Sequence, residues 1–134
     1  MTATKQADPA DYLPPSLADL VKLIGFPATL KLVEHFGGLP LYVPREEHLR
    51  AEHGIVAAIG ADPARKLARD RGTETLEIPR AAAYLRRVRD QLMREKYETS
   101  SASELAREFG MTRRNVFYRV GADNDDEQGD LFED

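Results

Sequence analysis

The sequence predicts a mainly α-helical protein with short β-strands, of the α+β class. A duplicated helix-strand domain at residues 16–79 precedes an all-helical domain at residues 80–120. The first part rests on a repeat. Residues 24–45, IGFPATLKLVEHFGGLPLYVPR, return thirty-five positions later as IGADPARKLARDRGTETLEIPR at 59–80. The ungapped alignment sets Gly25 on Gly60, Lys31-Leu32 on Lys66-Leu67, Gly37 on Gly72, Leu41 on Leu76 and Pro44-Arg45 on Pro79-Arg80. Each copy reads as a helical run, a glycine, four or five extended residues and a proline, a unit too small to bury its own apolar face and so built to pair. The second part rests on SASELAREFGMTRRNVFYRV at 101–120, where two helix N-caps flank a glycine.

Punctuation sets the elements in order. Ser16, with Asp19 three residues on, caps a helix that carries Leu17, Leu20, Val21 and Ile24 on one face and stops at Gly25. Pro27 opens the next helix, where a first-turn proline loses no hydrogen bond. Leu30, Val33 and Phe36 give that helix an apolar stripe, which Leu32 widens. Gly37-Gly38 supplies a positive-φ stop, Leu39–Val43 is extended, and Pro44 ends the strand. A helix from about Glu46 to Ile59 follows. In the second copy Asp62 caps and Pro63 opens a helix to about Arg71, and Thr75–Ile78 forms the second strand.

Two such strands make a marginal sheet, because independent stability takes three or more strands or a helix packed on one face. Roughly eighty residues would also bury only about 60% of their unfolded surface. Two arrangements answer both problems. One is a symmetric homodimer that pools four strands and eight short helices, which the sequence favours. The other is a single chain whose two copies pack face to face.

The all-helical part opens on a long helix from about Ala81 to Tyr97. Leu85, Val88, Leu92 and Met93 line one face, and Arg86, Arg87, Arg89 and Arg94 fall on the remaining surface. Ser101 and Glu104 form a capping box for a helix whose Leu105 and Phe109 point inward. Ala106 is small where a second helix must cross closely, Gly110 makes the turn, Thr112 caps the second helix and Val116 anchors it. Those offsets describe a helix-turn-helix, in which the first turn of the second helix reads base edges. Arg113, Arg114 and Asn115 occupy that turn. Such motifs often place another apolar anchor three residues after Val116, but here that residue is Arg119. Either Phe117 or Val120 then fills the core, and Tyr118 and Arg119 face the DNA. A helical hairpin without a DNA role is the plain alternative.

Charge sorts the chain in the same way. Residues 1–79 hold 9 Lys/Arg against 11 Asp/Glu, residues 80–120 hold 10 against 5, and residues 121–134 hold none against 7. A basic block beside an acidic tail is the asymmetry of a nucleic-acid binder, although a positive solvated helix face gives the same count. At 42% hydrophobic and 31% charged, the 134 residues suit one domain or two very small ones. Charges interrupt every apolar run, which excludes a membrane-spanning helix. Residues 1–15 lack the apolar core of a signal peptide and read as a disordered lead-in.

Catalysis finds no constellation. The absence of cysteine removes disulfides, thiolate nucleophiles and zinc-finger spacings. His35, His48 and His53 lack metal-ligand spacing, and no P-loop or G-x-S-x-G is present. No catalytic residue, metal or cofactor is expected.

The whole arrangement resembles the Mor transcription activator family of Mu-like bacteriophages over residues 17–120. The carriers are GG-x-x-LYVPR at Gly37–Arg45, IPR at Ile78–Arg80 and SASELAREFGMTRRNVFYR at Ser101–Arg119. The resemblance implies a dimer held by the N-terminal helix-and-strand domain. It further implies a helix-turn-helix from each chain in successive major grooves, and activation by contact with RNA polymerase in the cytoplasm of a bacterial host. A strand tyrosine is implied to touch DNA between the two heads; Tyr42, with Arg45 beyond it, matches that position. In the second copy the same position holds Glu77, which phosphates repel.

The acidic tail at 121–134 ends in Gln128-Gly-Asp-Leu-Phe132, which is similar to the peptide by which bacterial proteins dock on the DNA polymerase sliding clamp. Gln128 would fill one small pocket, Leu131 and Phe132 an apolar one, with Asp130 ahead of the pair; Gly129 departs from the usual aliphatic residue. A disordered solubilising tail accounts for the same residues. The sequence thus reads as a phage or mobile-element transcription regulator that binds a two-fold symmetric double-stranded DNA site as a homodimer. Thr112, Arg113, Arg114, Asn115, Tyr118 and Arg119 would contact the DNA, with Arg87 on a phosphate. The rival is an adaptor that binds DNA weakly and docks on replication proteins through its tail.

Overall fold

Prolines and glycines cut the N-terminal half into two helix-helix-strand units. In the computed structural model, which describes residues 12–121, the first unit is α1 (Pro15–Ile24), α2 (Phe26–Phe36) and β1 (Pro40–Tyr42). The second is α3 (Gly54–Ile59), α4 (Ala61–Arg71) and β2 (Thr75–Glu77). Three further helices follow, α5 (Ala82–Lys96), α6 (Ala102–Phe109) and α7 (Arg113–Val120). Residues 1–11 and the tail with Gln128, Asp130, Leu131 and Phe132 lie outside the described residues. Mainly helical with one two-stranded sheet, the architecture is of the expected α+β class.

The repeat is a structural one. β1 and β2 pair antiparallel, with Leu41 opposite Leu76, Pro40 opposite Glu77 and Tyr42 opposite Thr75. Leu41 and Leu76 are equivalent residues of the two copies, so a local two-fold axis passes between them and exchanges the flanking pairs. The surrounding bonds obey the same axis. Gly38 N–H donates to the Ile78 carbonyl at 2.6 Å and the equivalent Thr73 N–H to the Val43 carbonyl at 2.7 Å. Val43 N–H reaches the Glu74 carbonyl, and Ile78 N–H the Leu39 carbonyl. The backbone of Gly25 (φ 91°, ψ 158°) is matched by Gly60 (φ 95°, ψ 162°). The helices cross in pairs that the axis also exchanges, α1 on α4 and α3 on α2. Leu32 and its equivalent Leu67 are both fully buried at the centre, each contributing about 1.5–3 kcal/mol by removal from water. The two copies therefore pack face to face within one chain, and β1 finds its partner without a second protomer.

Several boundaries differ from the sequence expectation, for local reasons. Helix α1 begins at Pro15, which is preorganised for a first-turn position, so Ser16 is already helical and makes no cap. Helix α4 begins at Ala61 behind Gly60, and Asp62 pairs with Arg65 one turn on in place of capping. The positive φ of the glycine pair falls on Gly38 (86°), while Gly37 adopts −56°. The strands are shorter than expected by their outer residues. The long helix expected over 46–59 is broken into a 3-10 turn at Glu46–His48 and α3. Extended backbone at Leu49 interrupts it, and His53 Nδ1 accepts the Ile55 N–H at 3.1 Å to cap α3 afresh. Gly54 thereby sits at a helix start, where it costs less than in an interior. Glu46 is drawn to Arg69, whose guanidinium hydrogen-bonds that carboxylate and holds it below the usual carboxylate range. The break preserves the repeat, because Ile55 and Ile59 stand where Leu20 and Ile24 stand in α1.

One core runs through the described chain from Leu13 to Val120. Helix α2 packs on α5 and α6 as well as on α1 and α3, so the boundary at residues 79 and 80 separates two sequence patterns but not two cores. Tyr12 ties the start of the described chain to α5, its hydroxyl bonding Glu95 at 2.7 Å.

Thr73 has φ +74°, the position that Gly38 fills in the first copy. A β-branched residue there costs roughly 1–2 kcal/mol, and glycine returns about 0.4–1 kcal/mol of that through the unfolded chain. Thr73→Gly is expected to stabilise the protein by about 0.5–1 kcal/mol, seen as a higher midpoint in urea unfolding. An unchanged or lower midpoint would contradict it.

Candidate nucleic-acid interface

The last three helices form a head whose shape is set by two caps and one turn. Ser101 and Glu104 make the reciprocal capping box, with Ser101 Oγ accepting the Glu104 N–H at 3.1 Å and Glu104 Oε1 accepting the Ser101 N–H at 2.9 Å. Helix α6 ends at Gly110 in the left-handed region, φ 68° and ψ 43°. Thr112 Oγ1 accepts the Asn115 N–H at 3.0 Å and starts α7. Leu105, Phe109 and Val116 are buried in the same core as Leu85, Leu92 and Met93 of α5, on which α6 and α7 both pack. That packing turns the first turn of α7 outward.

Thr112, Arg113, Arg114, Asn115, Phe117 and Tyr118 line one open depression on the surface of the head. Arg113 and Arg114 are exposed and make no ion pair with any described residue. The Arg113 guanidinium lies 5.5 Å from the Phe117 ring centroid. Phe117 and Tyr118 are 42% and 64% exposed, large apolar surfaces beside two unneutralised cations. Arg87, on α5, is exposed and stacks over Tyr84 at 5.9 Å.

Arg119 sits elsewhere. Its Nη1 reaches Asp90 of α5 at 3.4 Å, while Asp90 also accepts from Arg89 Nε at 3.0 Å. Asp90 thus holds one guanidinium from each of two helices, and Val120 supplies the apolar anchor that the sequence left open between Phe117 and Val120. Arg86 and Arg89, placed on the free surface of α5 by spacing, are engaged too. Arg86 pairs with Glu34 at 2.8 Å, and the Arg89 side chain is only 12% exposed. The sequence signal for these pairs was absent, because Glu34 and Asp90 announce their partners only once α2, α5 and α7 are packed.

The strand residues stand apart from this cluster. Tyr42 is 56% exposed on β1, and Arg45 lies beyond it with Glu47 at 3.8 Å. Among the described residues no group of His, Asp or Glu is arranged to hold a metal ion, and His53 serves as a helix cap. No described helix is long and apolar enough to cross a membrane.

The head thus presents an exposed, cation-bearing helix start beside two aromatic rings, where backbone N–H groups also favour an anion. The model of the Mor transcription activator family matches residues 48–128, more than half of the chain, and the chain belongs to that family. Comparison with curated proteins and with solved structures gives no match. The matched span begins after β1 and takes in the second copy of the repeat and the head. Tyr42 and Arg45 lie before it, and the strand within it carries Glu77 at the position of Tyr42.

A Cβ at Gly110 would lie 3.4 Å from Pro27 Cβ, and a β-branched residue is strained at φ +68°. Gly110→Val is expected to destabilise the protein by about 1–3 kcal/mol, whereas Gly110→Asn should retain most of the stability because asparagine tolerates this region. Thermal unfolding of the two variants checks the ordering, and equal losses would refute it.

Proposed function

We propose that the protein is a sequence-specific transcription activator of phage or mobile-element type, in which α6 and α7 act as a helix-turn-helix and α7 enters the major groove. The observation that carries this reading is the first turn of α7, where Arg113 and Arg114 are exposed and unpaired by any described carboxylate. A guanidinium there can take guanine bidentately, and Asn115 can take adenine, each good pair worth about 1–3 kcal/mol of discrimination. Phe117 and Tyr118 offer apolar surface for a thymine methyl. Thr112 and the start of the helix would meet a phosphate. Arg87, stacked on Tyr84 and unpaired with any described carboxylate, would hold the backbone without reading sequence. Arg119 would act chiefly by fixing α7 on Asp90. Family membership supports activation, with RNA polymerase as the partner that the activator would contact.

Replacing Arg113 or Arg114 by alanine is expected to relax base preference at one position of the site. Replacing Arg87 should weaken all sequences alike and lower the slope of log affinity against log salt by about 1 per chain bound. Competition binding on operator variants across a salt series separates the two effects. Uniform loss of affinity with full base preference in the Arg113 and Arg114 variants would remove α7 from the reading role.

A further inference from the structure

A two-fold interface between identical surfaces is the common way for a small unit to cover its apolar face, and it ordinarily needs two chains. Here both halves are covalently joined. The family match takes in one copy of the repeat together with one head, residues 48–128. The additional copy, α1, α2 and β1, sits across a local two-fold axis from it and covers its strand and helices. We infer that this first copy is a built-in partner, and that the protein works as one chain with one reading head on a single asymmetric half-site. The half-site clause rests on the function proposed above.

The two copies have diverged where the head docks. On the first copy, Phe26 stacks edge-on against Phe109 with ring centroids 5.9 Å apart, Pro27 abuts Gly110, and Glu34 pairs with Arg86 at 2.8 Å. The equivalent residues of the second copy are Ala61, Asp62 and Arg69. All three are exposed, Asp62 pairs with Arg65, and Arg69 is bound to Glu46 at 2.8 Å. The symmetric seat for a second head has therefore lost its aromatic ring and its proline. Its charge is reversed as well, so that the Arg86 of another head would face Arg69, and like charges in contact disfavour that docking. Each seat takes one segment only. The first copy receives α5, which follows β2, and the second receives the turn at Glu46, which follows β1. The asymmetry removes the place for a second head that a symmetric pair of copies would offer.

The full chain at micromolar concentration should have the mass of one chain by sedimentation equilibrium. DNA selected from random fragments should yield a motif without an inverted repeat, bound by one chain per duplex. A mass of two chains, as in an exchange of first copies between protomers, or a two-fold symmetric motif would overturn the inference. Should the protein select no sequence at all, the activator reading falls, and the mass in free solution still decides whether the first copy is an internal partner.

Discussion

The antiparallel pairing of Leu41 with Leu76 is the contact on which the rest of the structure depends, because it fixes the axis that relates the two copies. A strand of three residues has few ladder bonds to offer. Here the ladder is lengthened at both ends by equivalent loop bonds, from Gly38 to Ile78 and from Thr73 to Val43. Register is then fixed from both sides, since a slip of one residue would turn Leu41 to solvent and Tyr42 inward. The close approach beside the ladder adds a second constraint. A Cβ at Gly37 would lie 3.0 Å from the Pro79 carbonyl, and one at Gly72 3.3 Å from the Pro44 carbonyl. Small residues at both symmetric positions let each strand end pass under the other copy's helix. With the ribbon placed, Leu32 and Leu67 are both fully buried, and α2 is left with a face turned away from its own repeat.

That remaining face gives the head its orientation. The last strand leads directly into α5, so the head is joined in sequence to the second copy while its docking contacts are with the first. Such an arrangement ties the two copies and the head into one core. The consequence for the interface is rigidity where it is needed. Helix α7 is fixed by Val116 and Val120 in the core and by Asp90 holding Arg119, and Arg113 and Arg114 at its start keep a charge that no described carboxylate cancels.

The repeat was fully legible in the sequence, down to the offset that pairs Leu41 with Leu76. Whether the copies pair within a chain or between chains was not, because an isologous contact uses the same residues in either case. The caps at Ser101 and Thr112 were legible because capping is local and the residues that bond are three apart. Those at Ser16 and Asp62 were misread for the complementary reason. A proline or glycine upstream had already set where the helix begins. The break between Glu46 and Gly54 was hidden by good helix formers such as Glu46, Glu47 and Ala51, and the long-range bond from Arg69 to Glu46 lies beyond what local propensity can reveal. Arg119 was the harder case. Its spacing pointed to a missing apolar anchor, and only the packing of α5 on α7 supplies Asp90 as the substitute.

Net charge also misleads until pairing is taken into account. The chain is negative overall, and the head is basic by sequence, yet most of the head's basic residues on α5 are engaged by carboxylates or amides of the fold. Arg86 goes to Glu34, Arg89 to Asp90, Arg94 to Gln91 and Lys96 to Glu108. The more exposed of these ion pairs, Arg86–Glu34 and Lys96–Glu108, add little stability, on the order of 0–1 kcal/mol each. Their larger effect is on where positive potential survives. Pairing cancels it along much of α5 and leaves it at the start of α7, at Arg87, and at the exposed Arg80 and Arg107. A polyanion approaching such a surface is drawn to the helix end whose backbone N–H groups already favour an anion. The Arg86–Glu34 pair that ties the head to the first copy thus also sharpens the electrostatic contrast between the paired stretch of α5 and the unpaired start of α7.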